Sequence, residues 1–147
     1  MENSRTGAQI LVDQLAAQDV RHVFCVPGES YLAVLDAFHD AEINVTVCRQ
    51  EGGAAMMADA SAKLTGKPGV VFVTRAPGAT NASPGIHIAE HDSTPLIMFV
   101  GQVQRSAMGR GAFQEMDYRA VFGSFAKWVV EIDDPARIPE IVSRAFH

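Results

Sequence analysis

The chain has 147 residues, 48% hydrophobic and 20% charged, a composition that suits one globular domain with a real core and excludes disordered and collagen-like classes. Twelve basic against seventeen acidic residues leave a formal charge of −5 with no Lys/Arg cluster, so nucleic acid is not an expected partner. No signal-peptide core opens the chain, and no apolar run approaches the roughly 18 residues of a membrane span, so no membrane partner is expected either.

In chain order, Thr6-Gly7-Ala8-Gln9 reads as a capping box before Ala8, Leu11, Val12 and Leu15, an apolar stripe at helical spacing. A strand is expected over His22 to Val26. The turn Pro27-Gly28-Glu29-Ser30 follows, and Tyr31, Val34, Leu35 and Phe38 form the buried stripe of a second helix. After a strand over Val45 to Arg49, a third helix runs from about Glu51 to Leu64. It stops at Thr65-Gly66-Lys67-Pro68-Gly69, where Gly66 can take the left-handed C-terminal conformation. A strand over Val70 to Thr74 comes next. Asn81 is then expected to cap a fourth helix, with Pro84 at its third position, where no intrahelical N–H bond is lost. Strands over Leu96 to Val100 and Phe125 to Ile132 follow. Asp134-Pro135 starts a last helix with Ile138, Ile141, Val142 and Ala145 on its apolar face.

The strand and helix alternation is the βαβ rhythm of a parallel sheet. Val70-Val71-Phe72-Val73 and Leu96-Ile97-Met98-Phe99-Val100 are apolar without alternation, which predicts central strands covered on both faces. The fold class is therefore α/β: an open, doubly wound, mostly parallel sheet with helices on both faces, in a single domain over residues 1–147. Cys25 and Cys48 fall inside strand runs, where buried reduced thiols are the usual occupants, and imply a reducing, cytoplasmic setting. The last helix reaches Phe146-His147 without a capping residue, the expectation for a fragment or one module of a larger protein.

Ligands of open parallel sheets bind outside the carboxyl ends of the strands. The turns to inspect are Pro27–Ser30, Gln50-Glu51-Gly52-Gly53, Arg75-Ala76-Pro77-Gly78-Ala79-Thr80-Asn81 and Gly101-Gln102-Val103-Gln104. No G-x-G-x-x-G follows the first strand and no P-loop exists, so nucleotide phosphates have no cradle. The five histidines are dispersed. His87 and His91 stand four apart without a zinc motif around them, so no metal site is assigned. No G-x-S-x-G nucleophile elbow occurs.

That leaves Glu51. A carboxylate at a helix start stabilises the helix through its dipole by about 0.3 to 1 kcal/mol, and Glu51 can be no more than that. Gly52, Gly53, Ala54 and Ala55 nevertheless leave the first turn bare, at about 1 kcal/mol per glycine against alanine, which implies close approach by something else. A flat heterocycle lying on backbone, with one acid reaching a ring nitrogen, fits that pattern.

These residues resemble the pyrimidine-binding (PYR) domain of thiamine-diphosphate enzymes of the acetolactate synthase and pyruvate oxidase type. The resemblance spans essentially the whole chain. It rests on Val26-Pro27-Gly28, Arg49-Gln50-Glu51-Gly52-Gly53-Ala54, Thr65-Gly66-Lys67-Pro68-Gly69-Val70, Thr74-Arg75-Ala76-Pro77-Gly78-Ala79-Thr80-Asn81, Asp92-Ser93-Thr94-Pro95-Leu96, Gly101-Gln102-Val103 and Ala112-Phe113-Gln114-Glu115. It implies that Glu51 hydrogen-bonds N1′ of the cofactor aminopyrimidine and thereby activates thiazolium C2. Pro27, Gly28, Thr74, Pro77 and Asn81 match positions shaping the pyrimidine pocket, and Gln114 matches a glutamine near the reacting centre. Ala76, Ser61 and Gln50 stand where the family usually has Gly, Tyr and often His, and Ala76 would be strained if its position needed positive φ. The Pro27-Gly28-Glu29-Ser30 turn departs from the glycine-rich continuation of true acetolactate synthases.

The same resemblance implies thiamine diphosphate in a site shared with the PYR and PP domains of a second subunit, in a homodimer or homotetramer. Mg²⁺ would enter through a PP domain outside this chain, and FAD is possible in the full-length protein. Met56, Met57, Ala60 and Ile88 would then be covered by a partner, the alternative being that the methionines fill the core beneath their helix. Three readings follow: the PYR domain of a carboligase or decarboxylase acting on a 2-oxo acid, a free-standing PYR subunit paired with a separate PP subunit, or a non-catalytic association domain.

Overall fold

The computed structural model describes residues 4–147. Thr6 caps α1 (Gly7–Ala17) through the capping box: its hydroxyl accepts from the Gln9 amide at 3.2 Å, and the Gln9 side chain accepts from the Thr6 amide at 2.9 Å. β1 (His22–Cys25) leads through a 3₁₀ turn (Glu29–Tyr31) into α2 (Leu32–His39). β2 (Asn44–Val47), α3 (Glu51–Thr65), β3 (Gly69–Val73), α4 (Ala76–His91) and β4 (Leu96–Val100) follow. The chain ends in a short α5 (Tyr118–Phe122) and in α6 (Ile138–Phe146). Gly66 closes α3 at φ 69°, the left-handed conformation that its lack of a Cβ permits.

All strand pairs are parallel, in the order β2-β1-β3-β4. The chain moves outward from β1 to β2 and then returns to the other side of β1, so the order reverses between β1 and β3. Alternate residues of the central strands feed two cores. Val23, Cys25, Val70 and Phe72 join α1, α2 and α6 on one face, whereas Phe24, Val71 and Val73 join the small residues of α3 and α4 on the other. The doubly wound α/β architecture is thus as expected, and both cysteines are buried and free.

The helices of the second face lie close. A Cβ on Gly85 of α4 would sit 2.5 Å from Cβ of Ala55 in α3, and one on Gly69 would sit 2.1 Å from the Ala58 carbonyl oxygen. Large side chains are excluded there, and Ala54, Ala55, Ala58, Ala79 and Ala82 are all buried.

Three expectations are corrected. α4 begins at Ala76, not after Asn81, which places Asn81 in its second turn and Pro84 in its interior. Pro77 supplies the favoured proline of a first turn. The carbonyl of Thr80, which Pro84 cannot serve, accepts instead from the Ser83 hydroxyl at 2.7 Å. β4 is not central: it lies at the edge of the described sheet, and all five of its residues are half-buried. The run Phe125 to Ile132 forms no strand. Phe125, Ala126 and Val129 pack on the second core and Ile132 on the first, so its apolar pattern reports side-chain burial without backbone pairing. A cleft of about 1990 Å³ runs past β4 and this segment.

Candidate functional site

The exits of β1 and β3, on either side of the reversal, meet the start of α3. Glu51 is the first residue of α3, half-buried, and Gln50 caps the helix by accepting from the Gly53 amide at 2.7 Å. Asn81 Nδ2 donates to Glu51 Oε2 at 3.2 Å. The second oxygen, Oε1, lies 3.3 Å from where a Cβ on Gly78 would stand, so glycine at 78 keeps that oxygen uncrowded.

Gly78 also fits beneath Thr74, whose Cγ2 would be 2.8 Å from its Cβ. Gly28 is tighter still: a Cβ there would be 2.4 Å from Thr74 Cβ. The Thr74 hydroxyl is engaged with Ser30 Oγ at 2.9 Å. Beneath this turn the buried Tyr31 hydroxyl donates to the Val26 carbonyl, and burial holds its pKa well above the ordinary phenol value. Glu51, Asn81, Gly78, Thr74 and Gly28 therefore form one contiguous surface. Pro27 stands exposed beside Gly28, and Pro77 exposed beside Gly78.

Gln114 reaches the same rim from a loop after β4. Its backbone is left-handed, φ 64°, and its carbonyl accepts from the Ala76 amide at 3.3 Å, which ties the loop to the start of α4. Glu115 organises that loop: its carboxylate accepts from the Gly109 and Ala112 amides, and these donors hold its pKa below the ordinary carboxylate value. Tyr118 fastens the loop to β4 by donating to the Gly101 carbonyl at 3.0 Å. Ala76 itself is not among the residues at positive φ, so alanine is unstrained where the family usually has glycine.

The bare first turn of α3 has a partly internal cause. A Cβ on Gly52 would lie 3.0 Å from the Asn81 carbonyl, and Ala54 and Ala55 are buried against α4. Only Gly53, with a single neighbour at 3.8 Å, leaves the turn open to a ligand. The sequence also did not single out Arg75 and Glu29, which form an ion pair across the exits of β3 and β1. Its signal was an arginine within an otherwise small-residue segment.

Met56, Met57 and Ile88 are 44%, 41% and 38% exposed, so they do not fill the core. Among the described residues, one group of three side chains has metal-ligand geometry: His87, Glu90 and His91, fully on the surface with ligating atoms within 4.8 Å of one another. It lies about 9 to 15 Å along α4 from Asn81, apart from the Glu51 surface. No helix among the described residues is long and apolar enough to cross a membrane.

Residues 5–121 match the family model described as the thiamine pyrophosphate enzyme, N-terminal TPP binding domain. The chain is 42% identical over 140 residues to an acetolactate synthase of Bacillus subtilis, a match covering 95% of this chain and 25% of that protein. It is 40% identical over 148 residues to the acetolactate synthase large subunit of Lactococcus lactis, covering 100% of this chain and 26% of that protein. It is 40% identical over 142 residues to the mitochondrial acetolactate synthase catalytic subunit of Saccharomyces cerevisiae, covering 96% and 21%. The chain thus spans about a quarter of the length of the curated relatives it matches.

Proposed function

The chain belongs to the thiamine pyrophosphate enzymes, as their N-terminal cofactor-binding domain, and from that membership we propose that it activates thiamine diphosphate for an acetolactate-synthase-like carboligation or decarboxylation of a 2-oxo acid. The carrying observation is the Glu51 carboxylate, fixed through one oxygen by Asn81 and left uncrowded at the other by Gly78. This donor set fits an aminopyrimidine. A ring nitrogen bearing a proton is what a single uncrowded carboxylate oxygen can receive, and the open turn at Gly53 leaves room for a flat ring.

When bound, thiamine diphosphate supplies the carbon nucleophile that attacks the substrate carbonyl. Glu51 holds the proton shared with N1′ of the aminopyrimidine. Asn81 orients Glu51, a positioning role. Pro27, Gly28, Thr74 and Pro77 would shape the wall on which the ring lies, and Gln114, whose backbone tethers its loop to the start of α4, would serve the reacting side. Glu51 and Gln114 are the residues assigned to the catalytic events.

A shared site is part of this proposal. The exposed face of Met56, Met57 and Ile88, with the exposed Ala60, supports a second subunit packed on α3 and α4, in a homodimer or homotetramer. The diphosphate and its Mg²⁺ would be held by the partner's PP domain. FAD would belong to another domain of the same protein. The test is C2 proton exchange of thiamine diphosphate in the assembled enzyme. Glu51→Gln, unable to share the N1′ proton as a carboxylate does, is expected to abolish fast exchange, and exchange at the wild-type rate overturns the assignment.

A further inference from the structure

Near the Glu51 surface, the exits of β1, β3 and β4 form a half-open pocket of about 440 Å³ lined by Glu29, Ser30, Leu32, Arg75, Gln102 and Gln104. Arg75 is the only cation in this lining, and its side chain is 14% exposed. One terminal nitrogen, Nη2, pairs with the Glu29 carboxylate, whose side chain is 71% exposed. The Nε–H is buried and has no acceptor among the described residues.

A buried guanidinium N–H without an acceptor carries an uncompensated desolvation cost. The guanidinium fork presents Nε–H and an Nη–H side by side, the geometry that matches the two oxygens of a carboxylate. Here Nε–H is covered from solvent and unanswered, and Nη2 is held by a carboxylate that is mostly in water, so a ligand reaches the fork only after Glu29 moves away. Because Glu29 keeps most of its hydration while Arg75 does not, the carboxylate is the partner that can leave the pair. Polar groups complete the lining: Ser30 Oγ, already joined to Thr74, and the amides of Gln102 and Gln104.

We propose that this cavity receives a carboxylate of the substrate, with Arg75 donating to it from Nε and Nη2 and displacing Glu29. Arg75 is then a specificity-determining residue for anionic substrates, and Glu29 is a resident competitor that guards the guanidinium when the cavity is empty. The inference rests on the 2-oxo acid reading above.

The experiment uses the 147-residue chain without cofactor, so its failure leaves the Glu51 assignment standing, and failure of that assignment leaves this cavity measurable. The Arg75 Nε–H resonance is followed by NMR during titration with pyruvate, 2-oxoglutarate and inorganic phosphate. Saturable movement with either oxo acid, absent with phosphate, is expected. A preference for 2-oxoglutarate identifies a carboxylate remote from the keto carbon, and equal response to pyruvate identifies the adjacent one. Glu29→Gln should tighten binding several-fold by removing the competitor, and Arg75→Lys should weaken it roughly tenfold by losing the fork. A resonance unmoved by both acids, an equal response to phosphate, or an affinity unchanged by Glu29→Gln overturns the proposal.

Discussion

Asn81 Nδ2 donates to Glu51 Oε2 across 3.2 Å, and this bond joins the first turn of α3 to the second turn of α4. It selects which carboxylate oxygen is occupied by protein and which stays available. A hydrogen bond to a charged group contributes about 1.5–3 kcal/mol, so losing it lets Glu51 sample unproductive rotamers. Asn81→Leu should slow C2 proton exchange of bound thiamine diphosphate by roughly tenfold or more, since 1.4 kcal/mol corresponds to a factor of ten. Asn81→Gln, which keeps the amide, should recover part of the rate. A variant pair that lowers cofactor affinity but leaves the exchange rate of bound cofactor unchanged would confine Asn81 to the pocket wall.

The same two helices depend on Gly85. Its absent side chain lets α4 meet Ala55 and the backbone at Met56 of α3. Gly85→Val introduces overpacking of about 1–3 kcal/mol. Valine's helix propensity offsets only a few tenths of a kcal/mol of that. Chemical denaturation of the chain should show the loss as a lower midpoint at unchanged slope. An unshifted midpoint would mean the helices can separate freely, which the contiguous Glu51–Asn81–Gly78 surface does not allow.

Acid should loosen the Gln114 loop only once the pH falls below the ordinary carboxylate range. Glu115 has a folded pKa depressed by the Gly109 and Ala112 amides. Its contribution is therefore fully present above the ordinary carboxylate pKa and is lost as pH falls through the depressed folded value. The amide shifts of Gly109 and Ala112 should titrate at that depressed value in the wild type and not in Glu115→Gln. Titration persisting in the variant would assign the acid response to another carboxylate.

The exposed methionine face carries an assembly prediction. Met57→Lys places a charge among Met56, Met57 and Ile88, each more than a third exposed in the chain alone. In the assembled enzyme it should reduce the mass measured by sedimentation while far-UV circular dichroism stays native. An oligomer of unchanged mass with full activity would show that this face is not buried by a partner.

How much was legible in the sequence varied with the kind of signal. Capping residues, turn glycines and the alternation of apolar runs are local, and they placed α1, the left-handed end of α3 and the first four strands within one or two residues. Two signals misled for physical reasons. An apolar run reports burial without saying whether backbone pairs, so Phe125–Ile132 read as a strand although its side chains merely pack on the two cores. Proline reads as a helix boundary, yet Pro84 sits inside α4 because the Ser83 hydroxyl serves the carbonyl it leaves without a donor.

Glu51 could be named from its turn, because strand exits of a doubly wound sheet converge whatever lies between them, whereas Gly28, Thr74 and Gln114 were named only by the family resemblance. Their relationships could be read from neither. That Asn81 reaches Glu51 from thirty residues away, that Gly52 is small for the Asn81 carbonyl and not for a ligand, and that Arg75 faces Glu29 with one N–H unanswered all depend on how α3, α4 and the β1 exit pack. By itself the sequence determined which side-chain types stand at the strand exits, since side-chain type and local turn geometry are written along the chain. Only the tertiary structure decided which Glu51 oxygen is held, which is open and that the Arg75 Nε–H has no acceptor among the described residues, because those are distances between elements that no local signal encodes.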